Sequence, residues 1–204
     1  MDFSSFGLKS VETGNASGVL NLSKNDVLDL TKTASSLKHL VLGAGWDVPE
    51  TGMPYDLDIA AFLLGADGRV HNPATDVVFF NQMRQQGIYL TGDNRTGAGD
   101  GDDEQIVINT DELNPSVEKI VFVVTIFEAA QKNQVFGKVK NAFVRLLDAD
   151  EGDRELCKYT LTDNYSTETA LVFAEIYKSG GSWCFKAVGE GYQGDLNTLL
   201  MKYM

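Results

Sequence analysis

Apolar residues fall along this chain in short runs separated by turn-forming residues, a period-two and short-run texture that predicts strands. The runs at 19–22 and 27–30 flank Lys24-Asn25-Asp26, and 37–42 ends at Gly43-Ala44-Gly45 before Trp46-Asp47. The run at 55–64 closes at Gly65-Ala66-Asp67-Gly68, a hairpin-type turn. Residues 76–80 and 88–90 flank a polar segment, and Ile106-Val107-Ile108 follows soon after. The stretch 120–127 is continuously apolar, β-branched and aromatic, as a central strand requires. Residues 142–147 predict another strand, and 170–178 with 182–188 predict a hairpin across Ser179-Gly180-Gly181, with Trp183, Phe185 and Ala187 on one face. Gly189, Gly191 and Gly194 then interrupt the pattern.

Helical period is confined to two places. Residues 128–134 suit a short helix, and Leu196, Leu199, Leu200 and Tyr203 recur at helical spacing behind Asp195, a good N-cap. That amphipathic tail predicts a helix covering a sheet. The fold class expected is all-β: a β-sandwich of two sheets with a few short helices, one of them C-terminal. Residues 1–17 show no clean period and read as a flexible leader, whereas 18–204 read as one domain.

Composition narrows the function. With 204 residues and 43% hydrophobic positions the chain can bury a sizeable core. A net charge of -12 argues against a nucleic-acid partner and favours cations. No apolar run is long enough for a membrane span, and Met1-Asp2 opens no signal peptide, so the expected location is cytoplasmic. Cys157 and Cys184 are too few for a disulfide framework, and His39 and His71 too few for a zinc site on their own.

The chemistry concentrates in one stretch, 92–104. Asp93, Asp100, Asp102, Asp103 and Glu104 repel one another unless a cation is present, and the interleaved glycines, among them Gly97 and Gly101, allow the backbone to wrap a small ion. Hard oxygen donors on a bendable loop suit Ca²⁺. A solvated acidic turn remains the alternative. The loop is not an EF-hand: Asp93 and Glu104 stand at positions 1 and 12, but Arg95, Gly97 and Ala98 occupy positions 3, 5 and 6. Asp56 and Asp58 are two apart on a predicted strand and so share a face, which fits an exposed strand end or a second source of metal ligands. A further acidic turn, 148–153, lacks interleaved glycines and reads as an ordinary turn. The chain carries no nucleophile elbow, Walker A loop or dinucleotide fingerprint, so no enzymatic activity is expected.

Several motifs together resemble one family. Leu42-Gly43-Ala44-Gly45-Trp46-Asp47, Asp56-Leu57-Asp58, Gly92-Asp93-Asn94-Arg95-Thr96-Gly97 with Asp100-Gly101-Asp102-Asp103-Glu104, Phe136-Gly137-Lys138-Val139-Lys140-Asn141-Ala142-Phe143, Ser166-Thr167-Glu168-Thr169-Ala170 and Gly191-Tyr192 run in the order of the TerD-type tellurium-resistance and stress-response proteins. The resemblance implies a calcium-binding sandwich with two ions close together. It implies a bacterial stress-cluster protein without catalytic activity, whose partners are other proteins of the cluster or a membrane-associated complex. By position it implies metal ligands among Asp56, Asp58, Asp93, Asn94, Thr96, Gly97, Asp100, Gly101, Asp102, Asp103 and Glu104, with Asp47 a weaker match. Two rival readings remain: an enzyme using the cation as Lewis acid, and an interaction module in which calcium is purely structural. This chain departs from the family in its leader and at Lys24-Asn25-Asp26, where the family has Lys-Gly-Gly; asparagine tolerates positive φ, so the turn should survive.

Overall fold

A computed structural model describes residues 18–33, 38–47, 55–92, 101–161 and 165–204. In chain order the elements are β1 (Leu20–Leu22), β2 (Val27–Asp29), α1 (Leu30–Thr33), β3 (His39–Asp47), β4 (Leu57–Leu64), α2 (Pro73–Asp76), β5 (Val77–Val78), β6 (Arg84–Gln85) and β7 (Ile88–Leu90). There follow β8 (Glu104–Asn109), β9 (Lys119–Ile126), α3 (Ala129–Lys132), β10 (Lys140–Asp148), β11 (Arg154–Thr160), β12 (Ala170–Ser179), β13 (Ser182–Tyr192) and α4 (Leu196–Tyr203). The strands form two sheets: a first of seven, ordered β1-β11-β10-β3-β8-β7-β6, and a second of six, ordered β2-β13-β12-β9-β4-β5. The pairing of β1 with β11 is parallel; the other pairings between these strands are antiparallel. This is the all-β architecture the turn spacing predicts.

Alternation sets the layers. Leu40, Leu42, Ala44 and Trp46 of β3, Ile106 and Ile108 of β8, and Val144 and Leu146 of β10 turn inward from the first sheet. They meet Leu57, Ile59, Ala61 and Leu63 of β4, Phe122 and Val124 of β9, and Phe173 of β12. The second sheet is also covered on its outer face. Ala60, Phe62, Val121, Val123, Ala170 and Val172 form a second cluster there, closed by Leu196, Leu199, Leu200 and Tyr203 of α4. Burial on both faces explains why 120–127 reads as continuously apolar. It also explains the helical period of the tail, in which Leu199 has no exposed surface. Asp195 caps α4 by accepting from Thr198 N, and Thr198 Oγ1 accepts in return from Asp195 N.

Three sequence expectations shift. The strand expected to stop at Gly43 runs on to Asp47 as β3. There the missing Cβ admits a neighbour: a Cβ at Gly43 would lie 2.1 Å from an Asp102 carboxylate oxygen. The last hairpin strand likewise continues to Tyr192 through a bulge, since Val172 pairs with Glu190 but Ala174 with Ala187, and Gly189 absorbs the extra residue at φ 66°. The polar segment after 80 contributes the two-residue strand β6. Asn25 sits at φ 70°, so the turn where the family carries glycines does form. The leader expected over 1–17 lies outside the described residues.

Candidate metal centre

The acidic loop joins β7 to β8, neighbours in the first sheet, so its ends are fixed by a ladder in which Leu90 pairs with Ile106. Of the expected donors, Asp56, Asp58, Gly101, Asp102, Asp103 and Glu104 are among the described residues. Asp93, Asn94, Thr96, Gly97 and Asp100 lie outside them.

Glu104 starts the inward row of β8, with Ile106 and Ile108 behind it, and is 3% exposed. Its carboxylate crosses the sandwich and accepts from Ile59 N of β4 at 2.8 Å. The need for that bond follows from strand pairing. Phe127 N donates to Asp56 O, which turns the main-chain groups of even-numbered residues here toward β9 and those of Ile59 toward β5. β5 pairs only with Ala61 and Phe62, so the Ile59 amide needs another acceptor. Glu104 supplies it, and thereby ties the loop's end to β4, the strand that carries Asp58. The contact joins the loop's end to the β4 main chain; it does not bring Glu104 to the Asp58 carboxylate, which lies on the other face of that strand.

Asp103 faces β3: its N donates to Ala44 O and its carboxylate accepts from Trp46 N at 2.9 Å. Burial pushes the Asp103 carboxyl above the usual carboxylate range, and the charges of Asp102 and Asp47 push the same way, against the lowering effect of the Trp46 amide. Asp102 is differently placed. Its side chain, 2% exposed, lies over Gly43 and is gripped by Arg145 of β10, with Nε–Oδ1 at 2.7 Å and Nη2–Oδ2 at 3.1 Å. Gln105 Nε2 donates to the same carboxylate, and Arg145 Nη1 reaches Glu155 at 3.0 Å. The arrangement is a bidentate pair set across the strand partners Gly43 and Arg145.

Asp58 leaves the opposite face of β4 from Ile59. It is 8% exposed and stands directly across from Thr125 of β9. Asp56, one step earlier on the same side, is half-buried. Among the described residues no three His, Cys, Asp or Glu side chains converge on a point that could hold a metal ion. The donor chemistry is of the kind a hard cation takes: the loop foot offers carboxylate and carbonyl oxygens.

Sequence reasoning missed Arg145 and Gly43 as the cradle of Asp102. The signal was available in outline, since Arg145 is the one cation within the apolar run 142–147. In the acidic turn 148–153, Asp148 caps Asp150 N and pairs with Arg154 at 3.2 Å, while Asp150 accepts from Lys38 N, His39 N and His39 Nδ1. Those carboxylates fasten the turn to β3. Cys157 and Cys184 are free and buried, and burial pushes the Cys157 thiol up to about 12, so neither is poised as a nucleophile.

The model of the TerD domain matches residues 19–203. The chain belongs to the TerD family. It is 46% identical over 187 residues to "Tellurium resistance protein TerD" of Alcaligenes sp, covering 90% of this chain and 96% of that one. It is 41% identical over 188 residues to "General stress protein 16U" of Bacillus subtilis (strain 168), covering 90% and 96%. Among solved structures, a homologue of telluride resistance protein (TerD) from Streptomyces coelicolor A3(2) superposes with a TM-score of 0.64 at 28% identity, over 81% of this chain and 96% of that one. TerD-family membership thus agrees with both the motif order and the sandwich. Among the described residues no helix is long and apolar enough to cross a membrane.

Proposed function

We propose that this protein is a non-catalytic, calcium-binding component of a bacterial tellurite-resistance and stress-response system, working in the cytoplasm through protein partners. The observation that supports it most is the setting of the loop foot. Asp103 and Glu104 are pinned by main-chain amides of β3 and β4, one from each sheet. The loop they terminate is rich in carboxylates that a cation would relieve. Asp56, Asp58, Asp103 and Glu104, with Asp93, Asn94, Thr96, Gly97, Asp100 and Gly101 of the loop, are the residues that would hold calcium, supplying hard oxygens to two ions, while the Asp102 carboxylate is already taken by Arg145. The relatives' names, one a tellurium resistance protein and one a general stress protein, support the biological setting.

A structural use of the metal draws support from the same bonds, because an ion at this foot would brace one sheet against the other. The test is complementation of a strain lacking the gene. The wild-type chain should restore survival on tellurite, and a chain with Asp93, Asp100 and Asp103 changed to Asn should remain folded yet fail. Equal rescue by both chains would overturn the calcium-dependent role.

A further inference from the structure

The outer face of the second sheet changes character along its length. On β4 the outward row runs Leu64, Phe62, Ala60 and then Asp58; on β9 it runs Val121, Val123 and then Thr125. α4 covers the apolar part of this face and stops short of the polar end. At that end lies an open groove of about 750 Å³, floored by Asp58 and Thr125. Its volume is within the range of ligand sites, roughly 300–1,000 Å³. One wall is aromatic: Phe79, Phe80 and Phe127 stack edge to face in series, with centroids 5.4 and 5.9 Å apart. The remaining walls carry Glu128 from the start of α3 and Asp195 from the start of α4.

We propose that this groove docks a segment of a partner protein that carries lysine or arginine. Three observations lead there. First, among the described residues the charged side chains lining the groove are acidic, namely Asp58, Glu128 and Asp195, with Lys132 set behind Glu128. An anion is disfavoured even at the N-terminus of α4, because the Asp195 carboxylate already takes Thr198 N. Second, aromatic faces beside carboxylates suit alkylammonium and guanidinium groups. The protein uses that chemistry on itself at the same wall, where Lys132 Nζ stands 5.0 Å from the Phe127 ring centroid and 3.7 Å from Glu128. Third, the groove is open and is lined by Asn81, Gln131 and Gln193, whose amides can serve an extended main chain. The inference rests on the reading that the protein acts through partners and names the chemistry of one.

The probe is a fluorescein-labelled six-residue peptide of alternating lysine and leucine, titrated by anisotropy into the full chain, with a glutamate–leucine peptide as control. Titrations run both in chelator and in calcium, because Asp58 belongs to the groove floor and to the proposed metal donors; the variants therefore leave Asp58 intact. Saturable binding of the basic peptide is expected, weakened about fivefold by Phe80→Ala and by Glu128→Gln. Glu151→Gln, which removes the same charge from the turn fastened to the first sheet, should change it less than about twofold. Equal weakening by all three variants would show attraction to net charge alone and overturn the proposal. So would absence of saturation, tighter binding of the glutamate peptide, or equal occupancy by spermidine, which would assign the groove to a free polyamine. A calcium heat on the same samples that matches wild type, with no peptide binding, would overturn the groove and leave the calcium reading standing.

Discussion

Asp102 and Asp103 are adjacent in sequence and opposite in circumstance. Asp102 is neutralised: Arg145 takes both oxygens, and the absent side chain of Gly43 gives the carboxylate room. Removing Arg145 alone would strand a buried charge, so Arg145→Met should cost about 2–4 kcal/mol, less than a fully buried pair because Arg145 is partly exposed. The double change Asp102→Asn/Arg145→Met should cost markedly less than the sum of the single changes, and denaturant titrations of the four proteins would measure the coupling. Additive losses would show that the pair is not a unit. Asp103 is half-buried beside Asp102 and Asp47, and its carboxylate accepts from Trp46 N. Its folded proton affinity is raised, so its contribution favours folding below about pH 4 and is lost as pH rises through the elevated value. In chelator at pH 7, Asp103→Asn removes the charge and keeps an oxygen for Trp46 N. Its melting temperature should rise by about 1–3 °C, with a flatter profile above about pH 4. A fall would place the dominant role of Asp103 in its hydrogen bond. The sequence showed that these residues are acidic and clustered. It did not show which were already compensated, because the compensating Arg145 is 43 residues from Asp102.

Elements were legible where burial is one-sided or complete. The continuous apolar run that became β9, the hairpin of β12 and β13, and the helical tail that became α4 each follow from what covers their faces. Boundaries were less legible at glycines. Gly43 and Gly189 look like punctuation in sequence, yet one sits mid-strand beneath a carboxylate and the other forms a bulge. The Glu104 link could not be read from sequence, since it depends on β5 being too short to reach Ile59. α4 is the element on which the outer cluster depends most. Leu199→Ala should destabilise the protein by about 2–4 kcal/mol. Asp195→Ala should cost about 1 kcal/mol through the lost cap. Chemical denaturation would check both, and a smaller effect at Leu199 than at Asp195 would mean the helix merely rests on the sheet.

On the scale of the whole molecule, a chain of net charge -12 folds into a sandwich whose two sheets are linked by Glu104, the last residue of the acidic stretch. Binding of a cation only to the folded state would stabilise it by about 2.7 kcal/mol at a hundredfold excess over Kd. For a domain of this size that is a rise in melting temperature of about 5–10 °C. The most direct test is a calorimetric titration of chelator-stripped protein with Ca²⁺, repeated in the presence of equimolar Mg²⁺. The account predicts a saturable heat for roughly two ions per chain, little affected by Mg²⁺, which demands octahedral geometry and keeps its waters. A titration without heat, on protein whose melting curves with calcium and with chelator superimpose, would contradict it and make the loop a solvated acidic turn.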